Sequence, residues 1–110
     1  MANQHPKPDE PIPSDLVRED ASFADVVQDF VDGLDKRVAD MAAVLGDGDF
    51  QTLKRLAHQL KGSGGGYGYP ALTELAADLE RQALSEALPD CRRALDELNV
   101  MVSRVVVKLD

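Results

Sequence analysis

Aliphatic residues recur at three- and four-residue steps along nearly the whole chain, in four runs parted by short breaks, and few folds accept that pattern. Phe23, Val26, Val27, Phe30, Leu34, Val38, Met41 and Leu45 form the first run, which predicts an amphipathic helix from Ser22 to the break at Gly46-Asp47-Gly48. Ser22 followed by Asp25 resembles a capping box at its start. A second run opens at Asp49, a candidate N-cap, and puts Phe50, Leu53, Leu56, Ala57 and Leu60 on one face. Pro70 suits the first turn of a third helix striped by Leu72, Leu75, Ala76, Leu79 and Ala83. After a turn over Ser85 to Leu88, Pro89 opens a fourth run. There Cys91, Leu95, Leu98, Val102, Val105 and Leu109 alternate in steps of four and three, a seam that needs helical partners. Val105-Val106-Val107 would suit a strand equally well, but the sequence offers no second strand to pair with it.

Four helical runs with short connections predict an all-α, antiparallel four-helix bundle. Trp is absent and aromatics make up 5% of the chain, so the core has to be built from Leu, Val and Ala. Ser14 to Asp20 could add a short lid helix. The first 13 residues, MANQHPKPDEPIP, hold four prolines and little that is apolar; they predict a flexible tail with an inert His5, ahead of one bundle domain over residues 14–110.

Charge narrows the function. Twelve Lys and Arg against 20 Asp and Glu leave a net charge of −8, which repels the phosphate backbone of a nucleic acid. Cys91 is alone and has no internal disulfide partner, and no apolar run reaches the length of a membrane span. These features predict a cytoplasmic protein that binds neither nucleic acid nor membrane.

The stretch AHQLKGSGGGYGYPAL, from Ala57 to Leu72, breaks the local rules, with five glycines among the seven residues from Gly62 to Gly68. Carried inside a helix, those glycines would cost roughly 4 to 5 kcal/mol relative to alanine, which argues for a loop. The apolar period nevertheless runs on in phase through Gly64 and Tyr67, which argues for a helix. A Walker loop is excluded because Lys61 precedes the glycines and no strand stands before them. A dinucleotide fingerprint fails as well, since its last glycine position falls on Tyr67 or Tyr69.

At the helical period His58 points roughly 150° away from the apolar face, and so towards solvent. Lys54, Arg55, Lys61, Gly62 and Gly65 share that outer face: three cations and two bare positions around one imidazole, in an acidic chain. A lone surface histidine is most often only a solvated polar residue, but the missing side chains make sense if something large approaches the ring. Neighbouring cations favour a phosphoryl group, and a neutral imidazole is a nucleophile. Metal binding fits poorly, because His5 and His58 are the only imidazoles, Cys91 sits on a core seam, and cations surround His58. Ser63 has no positioned base to make it a catalytic serine.

AHQLKGSGGGYG followed by PALTELAADLE resembles the signature of histidine-containing phosphotransfer (HPt) domains, matched at His58, Leu60, Lys61, Gly62, Ser63 and Gly68. The likeness extends more loosely from about Ser14 to Leu109. It implies an antiparallel bundle with the histidine exposed on the second helix and the glycine run helical. By the same analogy His58 accepts the phosphoryl group, Lys61 steadies it, and Gly62 leaves room for a partner. Docking is expected around His58, at Lys54, Arg55, Gly62, Ser63 and Gly65. Glu80 falls where the family often has a Gln or Glu able to orient the imidazole; a solvated surface carboxylate is the plainer reading of it.

The expected function is that of a monomeric phosphorelay intermediate between response-regulator receiver domains, fed by a hybrid sensor histidine kinase. It would have no ATP site, metal or other cofactor of its own, and the receiver would bring the divalent cation. Gln59 stands where a kinase dimerisation helix would place an acidic residue, which favours a carrier over a kinase fragment. The rival of another class is a phosphorylation-independent helical adaptor, for which an intact His58 and Lys61 would be superfluous.

Overall fold

A computed structural model of the chain describes residues 10–109. Six α-helices make up most of it: α1 (Asp15–Glu19), α2 (Ala24–Asp32), α3 (Leu34–Gly46), α4 (Phe50–Gly66), α5 (Pro70–Leu84) and α6 (Leu88–Arg104), with a 3-10 turn over Ala21–Phe23. Helices α3 to α6 form the bundle. Each packs on its neighbours in sequence, and α6 returns to α3 to close the ring. The core is aliphatic, as composition required. Leu34, Val38, Met41, Leu53, Ala57, Leu60, Leu72, Ala76, Leu79, Cys91, Leu98 and Val102 face inward.

The first run is not one helix. Gly33 ends α2, its N–H turning back to the carbonyl of Phe30 at 3.2 Å, an i→i−3 bond that tightens the last turn before α3 starts. The Ser22–Asp25 capping box does not form either. Asp20 is the cap, accepting from the Ser22 N–H at 3.0 Å. Phe23 consequently lies in the 3-10 turn, out of phase with α2, and both it and Val26 are exposed. The buried residues of α2 are Val27 and Phe30 alone.

Asp49 caps α4 as expected, its carboxylate accepting from the Thr52 N–H and hydroxyl at 3.0 and 2.6 Å. Hydrogen bonding holds that carboxyl below the usual aspartate range. The glycine run is helix as far as Gly66. It stops in a Schellman arrangement, with Tyr69 N–H bonded to the Gly64 carbonyl (2.8 Å) and Gly68 N–H to that of Gly65 (3.1 Å). Gly68 takes φ +94°, which only glycine adopts without strain.

Gly64 explains why the glycines are tolerated in a helix. A Cβ there would lie 3.0 Å from Leu72 Cβ and 3.1 Å from the Thr73 nitrogen, so its absence lets α5 close on α4.

The ends of the chain differ from expectation. Helix α6 stops at Arg104, and Val105 continues in extended conformation. Val105 is buried there without being helical, and Leu109 is exposed rather than on a seam. The missing partner strand is Ile12. It pairs with Val105 in a parallel bridge, donating to the Arg104 carbonyl at 2.8 Å and accepting from Val106 N–H at 3.0 Å. Pro11 and Pro13 flank Ile12 and hold it extended. Residues 10–13, expected to be flexible, are therefore fastened to the fold; residues 1–9, including His5, lie outside the described residues.

The expected lid is α1, a single turn and a half. Ser14 is buried and works twice: its hydroxyl donates to the Tyr67 carbonyl at 2.6 Å and caps α1 by accepting from Val17 N–H. Asp15 N–H adds a bond to the Gly68 carbonyl at 2.8 Å. From the other side, buried Tyr69 donates its hydroxyl to the Val106 carbonyl at 2.6 Å. Both chain ends thus grip the α4–α5 turn.

Candidate functional site

His58 sits two turns into α4 with its ring 66% exposed. Its Nδ1 meets Oε2 of Glu80 on α5 at 2.8 Å. The other oxygen of the same carboxylate, Oε1, lies 2.7 Å from Nζ of Lys61. Lys61 is 35% exposed and Glu80 22%, so the bridging carboxylate is the most sheltered of the three. Helical spacing produces this arrangement. His58 and Lys61 are one turn apart on α4, and the close approach of α5 brings Glu80 between them.

Charge decides the protonation pattern. Lys61 first, and His58 after it, hold the Glu80 carboxyl below the usual glutamate range against the opposing effect of its partial burial. Glu80 is therefore ionised at neutral pH and can only accept. The proton between it and the ring belongs to Nδ1, so in neutral His58 the lone pair is on Nε2, the nitrogen that Glu80 does not hold.

The other residues singled out in the sequence take separate places. At Gly62 an added Cβ would meet nothing within 4 Å, so no internal contact requires glycine there. At Gly65 it would lie 3.1 Å from Thr73 Oγ1, which makes this glycine part of the α4–α5 seam. Ser63 turns its hydroxyl back to the Gln59 carbonyl at 3.0 Å. Arg55 is exposed near the start of α4, while Lys54 borders a hollow with Phe50, Ala83 and Leu84 at the end of the bundle. The positive patch is thus weaker than composition suggested, because Glu80 meets Lys61. On the other flank of α4, Leu56 and Gln59 join Arg37, Asp40 and Met41 of α3 around a hollow of about 140 Å³. Sequence reasoning missed Thr73, whose hydroxyl donates to the Lys61 carbonyl at 2.7 Å; a threonine on a helix gives no sign of its partner. Among the described residues no three His, Cys, Asp or Glu side chains gather as a metal site would need, and no helix is long and apolar enough to cross a membrane.

The model of the Hpt domain family matches residues 25–107, from α2 to the extended segment after α6. The chain belongs to the Hpt domain family. Histidine phosphotransfer in two-component signalling is the role of Hpt domains, and the helical bundle described above is the fold that the resemblance implied. No curated protein and no solved structure matches the chain.

Proposed function

We propose that this Hpt domain is a phosphorelay intermediate, taking a phosphoryl group on His58 from the phospho-aspartate of one receiver domain and passing it to the aspartate of another. The observation that carries the reading is the hydrogen bond from Nδ1 to Glu80, which leaves Nε2 as an exposed nucleophile. In the forward step the Nε2 lone pair forms the P–N bond while the P–O bond to the receiver aspartate breaks, its electron pair leaving on the carboxylate. The product is a phosphoimidazolium that keeps its Nδ1 proton, with the positive charge facing Glu80. In the onward step the P–N pair returns to Nε2, so the leaving group is neutral imidazole and no proton has to move.

Lys61 adds positive charge one turn from the ring, where the phosphoryl oxygens would lie. The open space at Gly62 suits the approach of a receiver, with Arg55, Lys54 and Ser63 towards the margins of that face. The receiver would supply the divalent cation and most of the charge stabilisation, and a hybrid sensor kinase the phosphoryl group, so this chain needs no nucleotide site. It would act as a cytoplasmic monomer. The test is transfer from a radiolabelled phospho-receiver to the protein and to its His58→Gln variant. Acid-labile, base-stable label on the wild type alone is expected; label that persists in the variant, or binding without any label, would overturn the proposal.

A further inference from the structure

The bond from Thr73 to the Lys61 carbonyl plays no part in the chemistry above. That carbonyl already belongs to the α4 ladder, with residue 65 as its i+4 partner, so the hydroxyl takes its second lone pair. Helical carbonyls point to the C-terminus and side chains lean back to the N-terminus. Lys61 therefore reaches α5 in two directions: its carbonyl finds Thr73 near the start of that helix, and its ammonium finds Glu80 two turns further on. Seven residues separate Thr73 from Glu80, about 10.5 Å along the axis and within about 20° of one face.

Glycines make room for this contact. A Cβ at Gly64 would stand 3.2 Å from the Thr73 hydroxyl oxygen, and one at Gly65 3.1 Å. Both glycines exceed what the HPt signature needs, and both border this one side chain. The site is also sensitive to register. Glu80 makes its two contacts at 2.8 and 2.7 Å, and a hydrogen bond is lost by about 3.6 Å, so a slide of roughly 1 Å between α4 and α5 would break them.

We propose that Thr73 is a positioning residue for phosphoryl transfer: its bond to the Lys61 carbonyl fixes the register of α5 on α4, so that Glu80 meets His58 and Lys61 together. The proposal rests on the phosphocarrier reading of His58, yet its structural half can be read without any partner.

The experiment uses the full chain with Thr73→Val, which keeps the shape and loses the donor, and Thr73→Ser, which keeps the donor. Nitrogen-15 NMR of the His58 ring reports the tautomer, and a phospho-receiver reports transfer. The wild type and Thr73→Ser are expected to hold neutral His58 as the Nδ1–H form. Thr73→Val should show a mixture of tautomers and transfer slowed roughly 10- to 100-fold, the scale of an ångström-sized misplacement. Gly65→Ala, which crowds the same hydroxyl, should move the ring signals in the same direction and guards against a Val variant that fails to fold. A Thr73→Val protein that is less stable but keeps the wild-type tautomer and rate would overturn the proposal. Should no receiver label even the wild type, the carrier reading falls, while the tautomer comparison still decides the role of Thr73.

Discussion

Alanine at Gly62 and alanine at Gly64 should shift stability in opposite directions, although the two glycines lie two residues apart in one helix. Replacing an interior helical glycine by alanine gains about 1 kcal/mol where the added methyl is free. At Gly62 the methyl meets nothing within 4 Å, so that gain stands. At Gly64 it would press on Leu72 Cβ at 3.0 Å and on the Thr73 nitrogen at 3.1 Å, one the first side-chain carbon, fixed by its bond to Cα, and the other backbone, so neither can rotate away. Overpacking of that kind costs about 1 to 3 kcal/mol and outweighs the propensity gain. The two variants should then differ by about 2 kcal/mol, or on the order of 10 °C in Tm for a domain of this size. Urea titration and thermal melts followed by circular dichroism measure both quantities. Two melts displaced to the same side of wild type would refute the assignment of Gly64 to helix packing. Under the proposed function the stabilised Gly62→Ala protein should also accept phosphoryl groups more slowly, because the methyl occupies the open approach.

Glu80 should titrate below its ordinary 4.5, and Lys61→Met should return it towards that value, as followed by carboxyl carbon NMR. Because its folded pKa is the lower one, its stabilising effect is present above pH 4.5 and fades as the pH falls through the folded value, so Glu80→Gln should flatten that acid limb. Tyr69 behaves oppositely: burial pushes its hydroxyl up to about 12, so stability is complete below pH 10 and declines as the pH rises from 10 towards 12. Two pH units amount to about 3 kcal/mol at most, and Tyr69→Phe should abolish this alkaline loss while costing about 1 kcal/mol at neutral pH for the bond to Val106. Ser14→Ala removes a cap and the tie to Tyr67 together, and should lower stability by about 1 to 3 kcal/mol and speed hydrogen exchange across α1.

The bundle was legible because its four stripes follow one rule, burial at helical spacing, and that rule survives in the core from Val38 to Val102. His58 and its exposure came from the same wheel. The failures share a cause of another kind. The break at Gly33 and the end of α6 at Arg104 depend on where the chain turns back, and the partner of Val105 lies 93 positions away at Ile12. No local period records a contact of that range. The same limit hid the partner of Thr73 and the contacts that Glu80 makes across the α4–α5 seam.

Pairing of Ile12 with Val105 has a practical consequence for protein engineering. The described chain enters and leaves the fold side by side, at the end of the bundle where Tyr67 to Tyr69 turn, while the α5–α6 turn over Ser85–Ala87 lies at the opposite end. Because the two segments run parallel, a tight turn cannot join them, and circular permutation needs a crossover linker of about a dozen residues or more. Joining residue 109 to residue 10 by a linker of that length and reopening the chain at Glu86 should preserve every contact of Glu80 with His58 and Lys61, since all three are fixed by α4 and α5 alone.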